Sequence, residues 1–139
     1  VPTTTPEHLY EEHVGLIHLK KGDSCCIMTK EDFRKGTETE LPYNQPIFVE
    51  IDYLTNNLFE VGVISIANNK PYFHSMVFVG AQKNPEWSKV YVDISNIITR
   101  QFYEGVENFK IFIRAKLDDD NLEANIYLDN IRLVFTPRN

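Results

Sequence analysis

The chain has 139 residues, of which 42% are hydrophobic and 24% are charged, and its formal net charge is −6. This length suffices for one buried core, and the composition is that of a folded chain rather than a disordered one. The acidic excess repels a polyphosphate backbone, and the basic residues form no cluster larger than the pair Lys20 and Lys21, so we expect no nucleic-acid partner. No run approaches the roughly 20 apolar residues that cross a bilayer.

The first part of the chain predicts a linker followed by short strands. Residues 1–6 are rich in Thr and Pro, as in an extended spacer. We therefore expect residues 1–8 to be a linker remnant and residues 9–139 to form a single domain. Residues 16–19 and 25–28 predict two short strands. Cys25 and Cys26 are adjacent, which is far from disulfide geometry, and a strand would point them to opposite faces as small apolar side chains.

The middle of the chain alternates apolar and polar residues with the period of a β-strand. Residues 47–53, 59–66 and 72–79 predict three strands. On the first of them, one face carries Ile47, Val49, Ile51 and Tyr53. Asn56 and Asn57 predict a hairpin turn between the first two strands, and Asn68 and Asn69 predict the next turn.

The later segments continue this pattern. In residues 87–94 the aliphatic face of Val90, Val92 and Ile94 is expected to point inward. A short helical turn is predicted from Ser95, with Gly105 to end it. Residues 109–116 and 125–135 predict two more strands, and the first of these is expected to turn Phe109, Ile111, Ile113 and Ala115 inward. The chain as a whole predicts an all-β protein, an antiparallel β-sandwich of about seven to nine strands with one short helical turn.

Two of these segments resemble a known family. Residues 86–94, EWSKVYVDI, and residues 126–133, IYLDNIRL, resemble the paired strands of galactose-binding-like jelly rolls, including many carbohydrate-binding modules. With residues 47–66 added, the chain is similar to surface lipoprotein domains of Bacteroidota that mostly lack an assigned function. The resemblance spans about residues 45–136. It implies a jelly-roll sandwich that is exported and held at the outer membrane or cell surface by a lipid anchor upstream of this sequence.

Asp129 interrupts the apolar pattern of the last strand. It shares strand parity with Ile131 and Leu133, so a regular strand would turn its carboxylate into the core, whereas a bulge near Leu128 would not. The resemblance implies that this aspartate helps to hold a structural calcium, with Glu50 as a candidate partner. The alternative, which we favour, is a carboxylate satisfied by hydrogen bonds within the protein and no cofactor.

A second acidic segment, residues 118–121, lacks the glycine and the distant glutamate of a calcium loop. We interpret it as a solvated hairpin tip. The four histidines of the chain have no zinc-site spacing.

Aromatic residues are the candidates for a ligand surface. Trp87 could stack on a sugar, but in the resembling fold this tryptophan begins a core strand, so we expect it to pack in the core. The better candidates for ligand binding are Tyr72 and His74, beside the turn at Asn68, and Tyr103 in the connecting segment, because loops carry function.

Three functions remain open on the sequence. The first is a non-catalytic cell-surface lipoprotein module whose ligand is a glycan. The alternative is a structural or adaptor domain that docks another surface protein through an exposed sheet face, such as the face carrying Phe48 and Glu50. The third is a small glycan-active enzyme, which needs two carboxylates in a groove. We expect no enzyme, because the sequence has no nucleophile elbow, phosphate loop or Cys–His pair.

Overall fold

The computed structural model describes residues 15–29, 33–34, 45–106 and 108–135, so the predicted linker at residues 1–8 lies outside the described residues. The described elements, in chain order, are β1 (Gly15–Lys20), β2 (Ser24–Met28), β3 (Phe33–Arg34), β4 (Ile47–Thr55), β5 (Phe59–Ala67), β6 (Lys70–Val79), β7 (Ser88–Asp93), α1 (Ser95–Tyr103), β8 (Asn108–Lys116) and β9 (Glu123–Phe135). The first sheet has the order β1-β9-β4-β7, and the second has the order β2-β8-β5-β6, with β3 also paired to β8. All these pairings are antiparallel, so the predicted β-sandwich is confirmed.

The core lies between the two sheets and is built from alternate residues of their strands. The first sheet contributes Ile47, Val49 and Ile51 of β4, and the second contributes Phe109, Ile111, Ile113 and Ala115 of β8. Removing each large aliphatic side chain from water stabilises the fold by roughly 1.5–3 kcal/mol. The inward faces predicted for β4, β7 and β8 are therefore confirmed.

The chain changes sheets where the sequence predicted a hairpin. β4 pairs with β7 and β9, whereas β5 pairs with β6 and β8, so the predicted hairpin at Asn56 and Asn57 is wrong. Asn57 is fully buried, and its side chain bonds to backbone groups inside a corner between the sheets. Asn68 and Asn69 do form a tight turn between β5 and β6, with φ values of 52° and 63° that suit a type I′ hairpin.

The chain also passes from one sheet to the other at residues 118–121. We call the passage at Asn56 and Asn57 the first crossing and this one the second crossing. Residues 118–121 follow β8 of the second sheet and precede β9 of the first. They are therefore not a hairpin tip, contrary to the prediction. The two crossings lie side by side, because Asn121 Nδ2 donates a hydrogen bond of 2.9 Å to the Asn56 carbonyl.

A β-bulge in β9 decides where Asp129 lies. The register of β9 against β4 shifts by one residue immediately after Asp129. Asn130 has a φ of 50°, in the left-handed region that asparagine tolerates. Leu128 and Ile131 consequently both face the core, while Asp129 is partly exposed. A regular strand would have turned Asp129 inward, and the bulge, which is the alternative considered from the sequence, turns it outward.

α1 joins β7 to β8 and is fixed to the first sheet by Ser95. The Ser95 hydroxyl donates to Asp93 Oδ1 at 2.6 Å and accepts from the Ile47 amide at 2.8 Å, so it links strands rather than capping the helix. The helix ends before Gly105, whose φ is 88°, as predicted. Among the described residues, no helix is long and apolar enough to cross a membrane.

The two cysteines of β2 occupy opposite faces, as predicted. Cys25 is partly buried against the core, Cys26 is exposed, and both are free thiols.

Candidate functional site

An open groove lies at one end of the second sheet, beside the two crossings. Its volume is about 470 Å³, within the range of ligand-binding pockets. We call it the Phe78 groove. It is lined by Ser24, Leu58, Phe59, Glu60, Phe78, Arg114, Ala115, Lys116, Leu117, Asp118 and Asp119.

Three neighbouring strands place Phe78, Glu60 and Arg114 side by side. Glu60 of β5 is the register partner of Phe78 on β6 and of Arg114 on β8. Arg114 donates from Nε to Glu60 Oε1 at 2.8 Å and from Nη2 to Oε2 at 3.1 Å, a two-point contact. These bonds, with one from Ser75, hold the pKa of Glu60 below its usual 4.5 against the opposing effect of burial. Glu60 is therefore ionised at neutral pH and can only accept hydrogen bonds.

The Arg114 guanidinium also lies against two aromatic rings that contact each other. Its Cζ lies 5.0 Å from the centroid of Phe112 and 5.6 Å from that of Phe73, within the range of cation–π attraction. The two rings meet edge to face, with their centroids 5.1 Å apart. Gly62 permits this arrangement, because a Cβ there would overlap the Phe112 ring. Arg114 is thus fixed by the Glu60 carboxylate and by the two rings.

Phe78 supplies the exposed apolar surface of the groove. Its side chain is 59% exposed, although it lies on a strand whose last residue, Val79, is buried. A flat ring next to an ionised carboxylate and a fixed guanidinium can contact a ligand with one apolar face and polar edges. The sugar ring is such a ligand.

Hydrogen bonds to Asn57 fix one wall of the groove. The Asp118 amide donates to Asn57 Oδ1 at 2.8 Å, and Asp118 Oδ2 accepts from the Leu58 amide at 3.0 Å. The Asp118 carboxylate therefore holds the backbone in place. Asp119, the next residue, is exposed at the groove.

The predicted ligand residues Tyr72, His74 and Tyr103 lie elsewhere. Tyr72 and His74 are near the start of β6, whereas Phe78 is near its end. Ser65 Oγ lies 2.7 Å from His74 Nε2, and burial followed by the charge of Arg100 lowers the pKa of His74. Because Arg100 belongs to α1, His74 lies close to the helix that carries Tyr103.

Tyr72 and Tyr103 are 52% and 65% exposed. None of the three predicted residues lines the Phe78 groove. Their role in ligand binding stays a prediction.

The outer face of the first sheet carries a charged network centred on Glu50, which is 5% exposed. Lys89 Nζ lies 3.3 Å from Glu50 Oε2 and 2.9 Å from Asp52 Oδ1, and Arg132 Nε lies 2.6 Å from Glu50 Oε2. Burial alone would raise the pKa of Glu50, but hydrogen bonds from Arg132, Tyr91 and Lys89 outweigh it and lower the pKa.

The pKa of Asp52 is also lowered, since bonds from Asn130 and Lys89 outweigh its burial. Two ionised carboxylates bridged by a lysine provide no proton for the general acid of a glycosidase. The centre of this face is therefore charged rather than apolar.

Asp129 and Trp87 complete the predicted residues. Asp129 Oδ1 accepts a hydrogen bond of 2.8 Å from the Asn130 amide. Within the described residues, no group of three or more His, Cys, Asp or Glu side chains could hold a metal ion. Calcium at Asp129 stays a prediction.

Trp87 is 50% exposed, so its predicted core packing is wrong. It precedes β7, which forms an edge of the first sheet.

The sequence did not single out Phe78, Glu60 or Arg114. Glu60 and Arg114 are 54 positions apart and meet only because β5 pairs with β8. The one available signal was Phe78, an aromatic residue that alternates with the buried Val79 and so had to face outward.

Comparisons with known proteins support the fold. No protein-family model matches the chain, and no curated protein matches it in sequence. One similar solved structure belongs to work on the promiscuous specificity of carbohydrate-binding modules from the β-sandwich superfamily. The TM-score is 0.50 at 7% sequence identity, and the match covers 94% of this chain and 62% of that one. The chain therefore has the sandwich fold of a carbohydrate-binding module and spans less than two thirds of that neighbour's length.

Proposed function

We propose that this chain is a non-catalytic glycan-binding module that holds part of a sugar chain in the Phe78 groove. The observation that carries the proposal is the exposed Phe78 ring beside Glu60, which Arg114 holds ionised and in place. A pyranose ring has an apolar face of C–H groups that suits the aromatic ring and hydroxyl groups that suit the carboxylate. Because Arg114 already fixes Glu60, little side-chain freedom is lost on binding.

The similar solved structure comes from work on carbohydrate-binding modules, and this chain shares its sandwich fold. At 7% identity the likeness supports the fold alone, so the residues of the proposed site are argued from their own geometry.

The proposal is tested by affinity electrophoresis against a panel of polysaccharides, followed by calorimetry on those that retard the protein. Phe78→Ala should weaken binding by about tenfold or more, equivalent to about 1.4 kcal/mol. Tyr103→Ala, which removes an equally exposed ring outside the groove, is the matched control and should bind as the parent does.

Two results would overturn parts of the proposal. If Tyr103→Ala weakens binding and Phe78→Ala does not, the ligand binds near α1, where the sequence predicted it, and the groove is the wrong site. If no polysaccharide binds, glycan binding itself is wrong, and the adaptor alternative becomes the better proposal.

Export and lipid attachment at the outer membrane or cell surface remain proposals that rest on the resemblance to surface lipoproteins. Fatty-acid labelling of the full-length protein, with protease shaving of intact cells, tests both. An unlabelled protein that resists shaving would contradict them.

A further inference from the structure

We infer that the Phe78 groove selects neutral glycans over acidic ones, such as chains bearing uronate or sulfate groups. The inference rests on the proposed function and adds the class of glycan. It follows from the contacts that the charged side chains of the groove already make and from the signs of their charges.

The guanidinium of the groove is already shared with an internal carboxylate. Arg114 uses Nε and Nη2 on Glu60, at 2.8 and 3.1 Å, and the Phe112 and Phe73 rings lie against it. An incoming carboxylate or sulfate that used the remaining N–H groups would lie close to the Glu60 carboxylate and be repelled by it. One that displaced Glu60 would leave a 7% exposed carboxylate without its cation, which is costly because the charge stays poorly hydrated.

The net charge of the side chains that line the groove repels an anion. Among the described residues that line it, Lys116 is the remaining cationic side chain, while Asp118 and Asp119 add two carboxylates to that of Glu60. The groove thus carries three acidic and two basic side chains, within a chain of net charge −6. An acidic glycan meets both local repulsion and an unfavourable long-range field.

A neutral glycan meets the opposite conditions. Glu60 and Asp119 can accept hydrogen bonds from ligand hydroxyl groups, and Phe78 can contact the C–H face of a sugar ring. Each of these contacts leaves the Glu60–Arg114 pair intact. Hydroxyl-rich, uncharged sugars therefore match every group that the groove offers.

The test uses a polysaccharide that binds in the panel above and a carboxymethylated derivative of the same backbone. Calorimetry at low salt should give a Kd for the acidic derivative about tenfold weaker or more, and added salt should narrow the difference by screening. Asp119→Asn should also reduce the difference in Kd between the acidic derivative and the neutral polysaccharide. Asp120→Asn is the matched control, since Asp120 does not line the groove, and should reduce the difference in Kd less than Asp119→Asn does.

The outcomes separate this inference from the proposed function. Equal or tighter binding of the acidic derivative, or a difference that neither salt nor Asp119→Asn changes, overturns charge selection. If only acidic polysaccharides bind and Phe78→Ala abolishes that binding, the module function stands and the neutral class is wrong. If neither class binds, the proposed function fails.

Discussion

Asn57 is the side chain whose removal should most disturb the corner of the sandwich. It is fully buried, and its Nδ2 donates to the Leu58 carbonyl at 2.8 Å and to the Lys116 carbonyl at 2.9 Å. Its Oδ1 accepts from the Asp118 amide at 2.8 Å and from Asn121 Nδ2 at 3.2 Å. One amide group therefore ties both crossings together.

Asn57→Ala would remove all four bonds and leave two carbonyls and one backbone amide without this partner. A buried polar group left unsatisfied costs about 1–3 kcal/mol, and water can reach part of this corner, so we expect a total loss of about 2–4 kcal/mol. For a domain of this size, a loss of 1 kcal/mol lowers Tm by about 3 °C, which gives a fall of about 6–12 °C.

Scanning calorimetry and urea unfolding would measure this loss. Leu122→Ala, in the same crossing, is the control and should leave Tm nearly unchanged, because Leu122 is 90% exposed. A fall of less than about 2 °C in the Asn57→Ala variant would refute the reasoning, since it would mean that water satisfies the corner as well as the amide does.

Three further outcomes are expected. Gly62→Ala should lower the free energy of unfolding in urea by about 3 kcal/mol, because the new methyl overlaps the His74 carbonyl and the buried Phe112 ring; a loss below about 0.5 kcal/mol would contradict that packing. The pKa of Glu60 is lowered in the folded state, so its stabilising effect is complete above the unfolded value of about 4.5 and is lost as pH falls through the lower folded pKa. Tm should therefore fall as the solution becomes acidic, and it should fall less steeply with pH in Glu60→Gln than in the parent. Equal slopes of Tm against pH in the two proteins would show that Glu60 does not cause the fall. EDTA should leave Tm unchanged, because the described residues contain no group of three or more His, Cys, Asp or Glu side chains that could hold a metal ion; a fall that calcium reverses would show a bound metal.

The alternation of apolar and polar residues predicts the strands and their inward faces well. It does not predict which strands pair, because pairing depends on residues that are far apart in sequence. The inward faces of β4, β7 and β8 follow directly from the period of two, since each strand packs one face on the core. The pair Asn56 and Asn57 has the composition of a hairpin turn, but the composition does not reveal whether the next strand stays in the same sheet. That choice depends on partners of Asn57 that lie about 60 positions away, such as Lys116 and Asp118.

The candidate site was less predictable for the same reason. The sequence predicts ligand binding at residues that flank turns, namely Tyr72, His74 and Tyr103, and this is a local criterion. The Phe78 groove instead depends on three strands and on the second crossing. The exposure of Trp87 was missed because its place at the start of an edge strand is a property of the sheet order.

The bulge in β9 makes the length of this strand as important as its composition. Leu128 and Ile131 are three positions apart, yet both face inward, because Asn130 adds one residue to the count. If β9 kept all its residues but lacked the bulge, the phase of every later side chain would reverse, which would turn Arg132 toward the core and Leu133 toward water. The final segment would then have to reform the bulge elsewhere or detach from β4. A single residue thus sets which face of the strand is hydrophobic.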